Sequence, residues 1–170
     1  MNLHPFIQDI PDFPKPGIVF KDISPLLLDA DALQSTVQQL LDIIPSAGSI
    51  DKVVGIESRG FIMGSILAEK LQTGFVPVRK KGKLPGKVLS EKYNLEYGES
   101  VLEIQEQAIQ KGDRILLHDD VLATGGTAKA ACNLIEQLGG TVVQCNFLIE
   151  LLFLKGRSGI EAPIATLMTY

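Results

Sequence analysis

Apolar positions along this chain of 170 residues alternate between helical stripes and short continuous runs. Between Asp29 and Ile44, Leu33, Val37, Leu40, Leu41 and Ile44 recur at spacings of three and four, which gathers them on one helix face; Pro45 and Gly48 supply the stop. Lys52 to Ile56 is a compact apolar run, predicted as a buried strand, and Gly60 to Leu71 reads as a helix with Gly74 just beyond it. Phe75 to Val78 is a second strand, in which Pro77 has no N–H to give a ladder and so asks for an edge or an irregularity. Ile115 to His118 is a third, Ala128 to Leu138 a helix closed by Gly139-Gly140, Thr141 to Ile149 a strand, and Ile164 to Met168 a last short one. Strands that alternate with helices predict an α/β fold, with a mainly parallel sheet flanked by helices on both faces. The N-terminal piece carries Pro5, Pro11, Pro14, Pro16 and Pro25, so it is no long helix, and only Val19-Phe20 suggests a short extended segment. No repeat or linker interrupts the chain, so a single domain over residues 1–170 is expected.

Composition narrows the function classes. A net charge of −4 argues against nucleic-acid binding, which favours a basic face. No apolar run is long enough to span a membrane, and the N-terminus lacks the basic and apolar regions of a signal peptide. Cys132 and Cys145 match no metal motif and read as reduced core thiols of a cytoplasmic protein.

The densest chemistry lies in residues 114–127. A short apolar run meets two adjacent acids, Asp119 and Asp120, followed by Thr124-Gly125-Gly126-Thr127 and a helix-forming run. Glycines let backbone amides approach a ligand closely, and amides at a helix start favour phosphate. Acids beside them can accept hydrogen bonds from sugar hydroxyls. An ordinary turn capped by Thr127 would use the same glycines, but it would not ask for paired carboxylates at the carboxyl end of a strand, where α/β sheets bind ligands. The Walker and dinucleotide-binding patterns are both absent.

Two further segments could meet an anion. Glu57-Ser58-Arg59-Gly60-Phe61 also runs from strand to helix, and there Arg59 either grips an anion or sits beside a helix capped by Ser58. Arg79-Lys80-Lys81-Gly82-Lys83-Leu84-Pro85-Gly86-Lys87 opens a stretch without clear periodicity that continues through Tyr93-Asn94-Leu95-Glu96-Tyr97-Gly98. It reads as a solvated basic turn or as a lid over a polyanion.

Asp119-Asp120-Val121-Leu122-Ala123-Thr124-Gly125-Gly126-Thr127 resembles the phosphoribosyl-diphosphate (PRPP) motif of the type I phosphoribosyltransferases. The segments 57–61, 79–86 and 93–98, with Asp12 to Pro25 and Glu150-Leu151 plus Leu154-Lys155-Gly156-Arg157, resemble the adenine-specific members of that family. The resemblance covers nearly the whole chain. It implies transfer of the phosphoribosyl group of PRPP to adenine, giving AMP and diphosphate, on a type I fold with a small N-terminal hood and a flexible lid loop. It implies that Asp119 and Asp120 hold the ribose 2′- and 3′-hydroxyls and that Ala123, Thr124, Gly125, Gly126 and Thr127 wrap the 5′-phosphate. Arg59, Arg79 and Lys83 would take the diphosphate, with a cis peptide at Glu57–Ser58. Glu96 would be the general acid/base. Val19, Phe20, Lys21 and Leu151 would bind adenine, Phe20 and Leu151 as a sandwich and Val19 and Lys21 through backbone groups. Lys21 stands where the family leads one to expect arginine. Mg2+ would act as cofactor, held mainly through PRPP and water rather than by protein ligands. The resemblance further implies a homodimer. His118, where the family has an apolar residue, reads as a partly buried core histidine. A phosphoribosyltransferase for another purine base, and a PRPP-sensing regulator without catalysis, are the alternatives.

Overall fold

In the computed structural model, which describes residues 1–45, 49–94 and 99–170, the chain forms two compact units, Met1–Asp42 and Ile43–Tyr170. In the first, two short strands, β1 (Gln8–Pro11) and β2 (Val19–Asp22), pair antiparallel with Ile10 opposite Phe20. Pro14 and Pro16 lie between them, where Phe13–Pro14 is cis and Gly17 takes a left-handed φ of 86°. A short helix α1 (Ser24–Leu28), with Pro25 in its first turn, leads into α2 (Ala30–Asp42). Asp29 caps α2, its Oδ1 accepting the Ala32 N–H at 2.8 Å. The expected stripe is present, with Val37 and Leu40 buried, and the helix ends at Asp42, two residues sooner than the apolar spacing suggests.

The second unit holds β3 (Lys52–Ile56), α3 (Gly60–Lys70), β4 (Gly74–Lys80), β5 (Val88–Asn94), β6 (Glu99–Gln105), β7 (Arg114–Leu122), α4 (Gly126–Gln137), β8 (Thr141–Glu150) and β9 (Ile164–Thr169). Among the described residues, its seven strands form one sheet in the order β5-β6-β4-β3-β7-β8-β9. The run from β4 to β9 is parallel, whereas β5 and β6 join antiparallel. Successive strand residues face opposite sides. Accordingly Val54, Ile56, Ile115, Leu117, Cys145 and Phe147 pack with Ala131, Leu134 and Ile135 of α4. Gly55 meets Gly64 of α3 on the other face. A Cβ at Gly55 would fall 2.6 Å from the Phe75 ring, so this glycine is what lets α3 lie close to the sheet.

Two expectations change. The strand expected to stop at His118 runs on to Leu122. Its partner β3 leaves it at His118, but β8 stays paired as far as Leu122 opposite Glu150. The stretch expected to lack regular structure over 79–100 contains the end of β4 and two paired strands. Their alternation is masked by polar residues that find partners inside the fold. Glu91 accepts from Asn133 of α4 at 2.7 Å, and buried Glu103 accepts the Gly82 N–H at 2.8 Å. Pro77 sits where β4 pairs with β3, outside the two-residue ladder to β6 at Arg79 and Lys80, as a residue without an N–H requires.

Candidate active site

The phosphate-loop candidate begins where β7 ends. Ala123 and Thr124 turn the chain, and Gly125, at the cap position of α4, adopts a φ of 84° that side chains rarely tolerate. No side chain caps the helix, so Thr127 is a first-turn residue and not an N-cap. Helix α4 therefore starts earlier than its apolar pattern shows. Its first-turn amides open on a cleft of about 70 Å³ lined by Asp119, Val121, Leu122, Ala123, Thr124, Gly125, Thr127, Ala128 and Phe147. Uncapped amides at the positive end of a helix suit a phosphate.

Asp119 lines this cleft, and Asp120 follows it on the opposite side of β7, which β3 has already left. Asp119 is half-buried and its Oδ1 accepts the Asp120 N–H at 2.9 Å. Asp120 is buried, and Arg59 Nε lies 2.7 Å from its Oδ2, an ion pair in which the oxygen sits off the N–H axis. Burial and then the Asp120 carboxylate push the Asp119 carboxyl well above the usual range. Burial also raises Asp120, against the pull of Arg59. Burial and mutual repulsion thus disfavour two charges here, and hydroxyl donors or a cation would relieve both.

Arg59 occupies the cap position of α3, again without a side-chain cap, so Ser58 does not serve as one. The peptide bond between Glu57 and Ser58 is cis. Glu57 gathers the other cations. Its Oε1 accepts from Lys83 Nζ at 2.5 Å, and its Oε2 accepts from Arg79 Nε at 3.3 Å and from the Lys80 N–H at 3.0 Å. Arg79 also donates to the Lys83 carbonyl at 3.1 Å. Burial of Glu57 works against its charge, but Lys83, the Lys80 N–H and Arg79 outweigh it and hold the carboxyl down to about 2. The sequence presents Glu57 only as the head of its loop. That it ties Arg79 and Lys83 to that loop is a structural finding.

Leu151 follows β8 and donates its N–H to the Leu122 carbonyl at 2.9 Å, so it adjoins the candidate phosphate loop. Val19, Phe20 and Lys21 lie on β2 of the first unit. There Lys21 Nζ bonds Asp9 at 2.6 Å, and Phe20 meets Phe13 edge-on at 5.2 Å. Glu96 lies outside the described residues, as does the rest of 95–98. His118 is wholly buried, more than expected, with Nδ1 2.5 Å from Asn146 Oδ1, and burial lowers it to about 4. It is a neutral core group and does not line the cleft. Among the described residues no cluster of three or more His, Cys, Asp or Glu could hold a metal ion.

With this geometry in view, comparison with known proteins becomes specific. A model of the phosphoribosyl transferase domain matches residues 27–165. The chain is 60% identical to the adenine phosphoribosyltransferase of Christiangramia forsetii, over 100% of this chain and 99% of that one. The crystal structure of adenine phosphoribosyltransferase from Rhodothermus marinus superposes with a TM-score of 0.94 at 52% identity, covering 99% and 96% of the two chains. The Saccharomyces cerevisiae protein, solved with an imino-altritol bisphosphate and adenine, gives a TM-score of 0.91 at 43% identity, covering 96% and 95%.

Proposed function

The chain belongs to the adenine phosphoribosyltransferases, within the phosphoribosyl transferase family, and from that premise we propose how its residues divide the work. The reaction is the purine-salvage transfer of the 5-phosphoribosyl group from PRPP to adenine, giving AMP and diphosphate. The observation that carries the assignment of roles is that Asp119 and the uncapped glycine start of α4 line one cleft, with Asp120 next in the chain.

Asp119 and Asp120 accept hydrogen bonds from the ribose 2′- and 3′-hydroxyls, and Ala123 to Thr127 wrap the 5′-phosphate. As the bond from C1′ to diphosphate breaks, positive charge develops on the ribose and negative charge on the leaving group. Arg59, Arg79 and Lys83 meet the leaving anion. The tie to Glu57 leaves donors to spare, since a guanidinium carries five N–H groups and an ammonium three. Adenine N9 takes C1′, and the imidazole proton it sheds passes to the Glu96 carboxylate. The resemblance supports Val19, Phe20, Lys21 and Leu151 as adenine-binding residues, and a site that hydrogen-bonds the exocyclic amine leaves buried groups unpaired when a carbonyl replaces it.

Mg2+ fits the donor chemistry of these two acids, hard carboxylate oxygens that burial makes costly to charge and that a cation would relieve. Asp119 and Asp120 would hold it through the ribose hydroxyls and water, and it supplies charge neutralisation to the diphosphate. The family match crosses the boundary between the two units, which supports one catalytic domain over 1–170. The resemblance supports a homodimer, a hood and a lid. Two free thiols suit the cytoplasm, and no helix among the described residues is long and apolar enough to cross a membrane.

One set of variants separates the roles. Asp119→Asn and Asp120→Asn should each weaken PRPP binding ~10- to 100-fold by calorimetry, the range for a lost charged hydrogen bond. Glu96→Ala should lower kcat by a factor of ~100 or more with PRPP affinity nearly intact. Wild-type PRPP affinity in both Asn variants, or unchanged turnover in Glu96→Ala, would remove the corresponding role.

A further inference from the structure

Of the motifs shared with the family, Glu150-Leu151 and Leu154-Lys155-Gly156-Arg157 receive no task from the reaction beyond that of Leu151. Their geometry assigns one. Glu150, at the end of β8, is 2% exposed. Arg157 grips it with a two-point fork, Nε to Oε1 and Nη2 to Oε2, both at 2.6 Å. Arg157 Nη1 also donates to the Ile164 carbonyl at 3.1 Å, and Thr166 Oγ1 donates to Glu150 Oε2 at 3.2 Å. A planar fork on a buried carboxylate fixes direction as well as distance.

Closing residues 150 and 157 on each other makes the intervening segment a hook. Leu151 donates to the Leu122 carbonyl, and Lys155 takes a left-handed φ of 53° that turns the chain back. Gly156 is thereby pressed onto the phosphate loop from below. A Cβ on Gly156 would overlap the Ala123 carbonyl oxygen and come within 3.1 Å of the Leu122 side chain. A Cβ on Gly125 would overlap the Gly156 carbonyl oxygen and lie 3.2 Å from its Cα. Gly156 therefore meets the residues on both sides of Thr124, backbone against backbone, with no room for a side chain on either glycine.

We propose that the Glu150–Arg157 pair, acting through Gly156, is a positioning device that holds Ala123–Gly125 in the shape that binds the 5′-phosphate. The proposal rests on the reading that residues 123–127 hold that phosphate. Because Leu151 lies in the same hook, one brace sets a base-side residue and the phosphate loop together.

The test uses the full chain and two probes, ribose 5-phosphate for the loop and diphosphate for the Arg59 side. Calorimetric Kd values are taken for wild type, Gly156→Ala, Arg157→Gln and Arg157→Lys, with thermal unfolding to identify folded variants. Gly156→Ala and Arg157→Gln should weaken ribose 5-phosphate by ~10-fold or more while diphosphate stays within about twofold, since small displacements of a ligand-holding group are costly. Arg157→Lys, which keeps the charge but not the fork, should fall between. If Arg157→Gln does not fold, Gly156→Ala and Arg157→Lys carry the same comparison. Wild-type affinity for ribose 5-phosphate in the folded variants, or equal losses for both probes, would overturn the brace. Thr127→Ala separates the two readings. If it weakens ribose 5-phosphate while the hook variants do not, the brace alone fails. If neither Thr127→Ala nor the hook variants alter binding, or wild type binds no ribose 5-phosphate, the loop assignment fails and the brace with it.

Discussion

Glu57 carries two opposing demands. Its side chain is 8% exposed, which disfavours charge, yet it collects Lys83, the Lys80 N–H and Arg79 and is held at about 2 instead of 4.5. A carboxylate held below its unfolded value contributes stability that is fully present above about pH 4.5 and is lost as pH falls towards 2. Glu57→Gln should therefore be less stable than wild type at neutral pH by on the order of 1–3 kcal/mol, the half-exposed cations screening the rest. The gap should close only as the pH reaches about 2. Urea titrations at both pH values check this, and a gap that persists at low pH would mean that packing, not charge, is responsible. The same residue marks the limit of local reading. Asp119, Asp120, Arg59 and the glycine turn announce themselves as short strings, because their chemistry is contiguous in the chain. Glu57 reaches Arg79 and Lys83 from 22 and 26 residues away, and nothing in either string points to the other.

Two glycine-started helices bring distant strings together. Gly60 opens α3 against β7, and a Cβ there would lie 2.8 Å from Asp119 Oδ1 and 2.9 Å from the His118 carbonyl oxygen. Gly60→Ala should therefore push Asp119 or the start of α3 aside and weaken PRPP binding by ~10-fold, with the fold retained. Calorimetry on the purified variant decides it; wild-type affinity would show that the junction can yield without cost. Helices and buried strands of this kind were legible in the sequence because their apolar periods are unbroken. Strands β5 and β6 were not, since Glu91 and Glu103 satisfy their charges on α4 and on the Gly82 turn rather than in water. The extension of β7 through Asp119 and Asp120 was hidden for a related reason. It depends on β8 continuing beside it, and acids within a strand read locally as its end.

Alternating elements gave the α/β class and the parallel core, but the order β5-β6-β4-β3-β7-β8-β9 depends on pairings between strands far apart in sequence. That order makes β3 and β7 adjacent and parallel, so Glu57-Ser58-Arg59 and Asp119-Asp120 emerge at neighbouring carboxyl ends. Under the proposed roles, that arrangement serves a donor with a phosphate at one end and a diphosphate at the other. The identity of the acceptor base is the part tested most directly by one assay, in which purified protein with PRPP and Mg2+ is offered adenine, hypoxanthine, guanine and xanthine separately and followed by ultraviolet absorbance. The account predicts AMP and diphosphate from adenine, with kcat/KM at least ~100-fold above any other base, the scale of discrimination open to a site that hydrogen-bonds the exocyclic amine. Preference for another base, or no turnover with any of them, would contradict it.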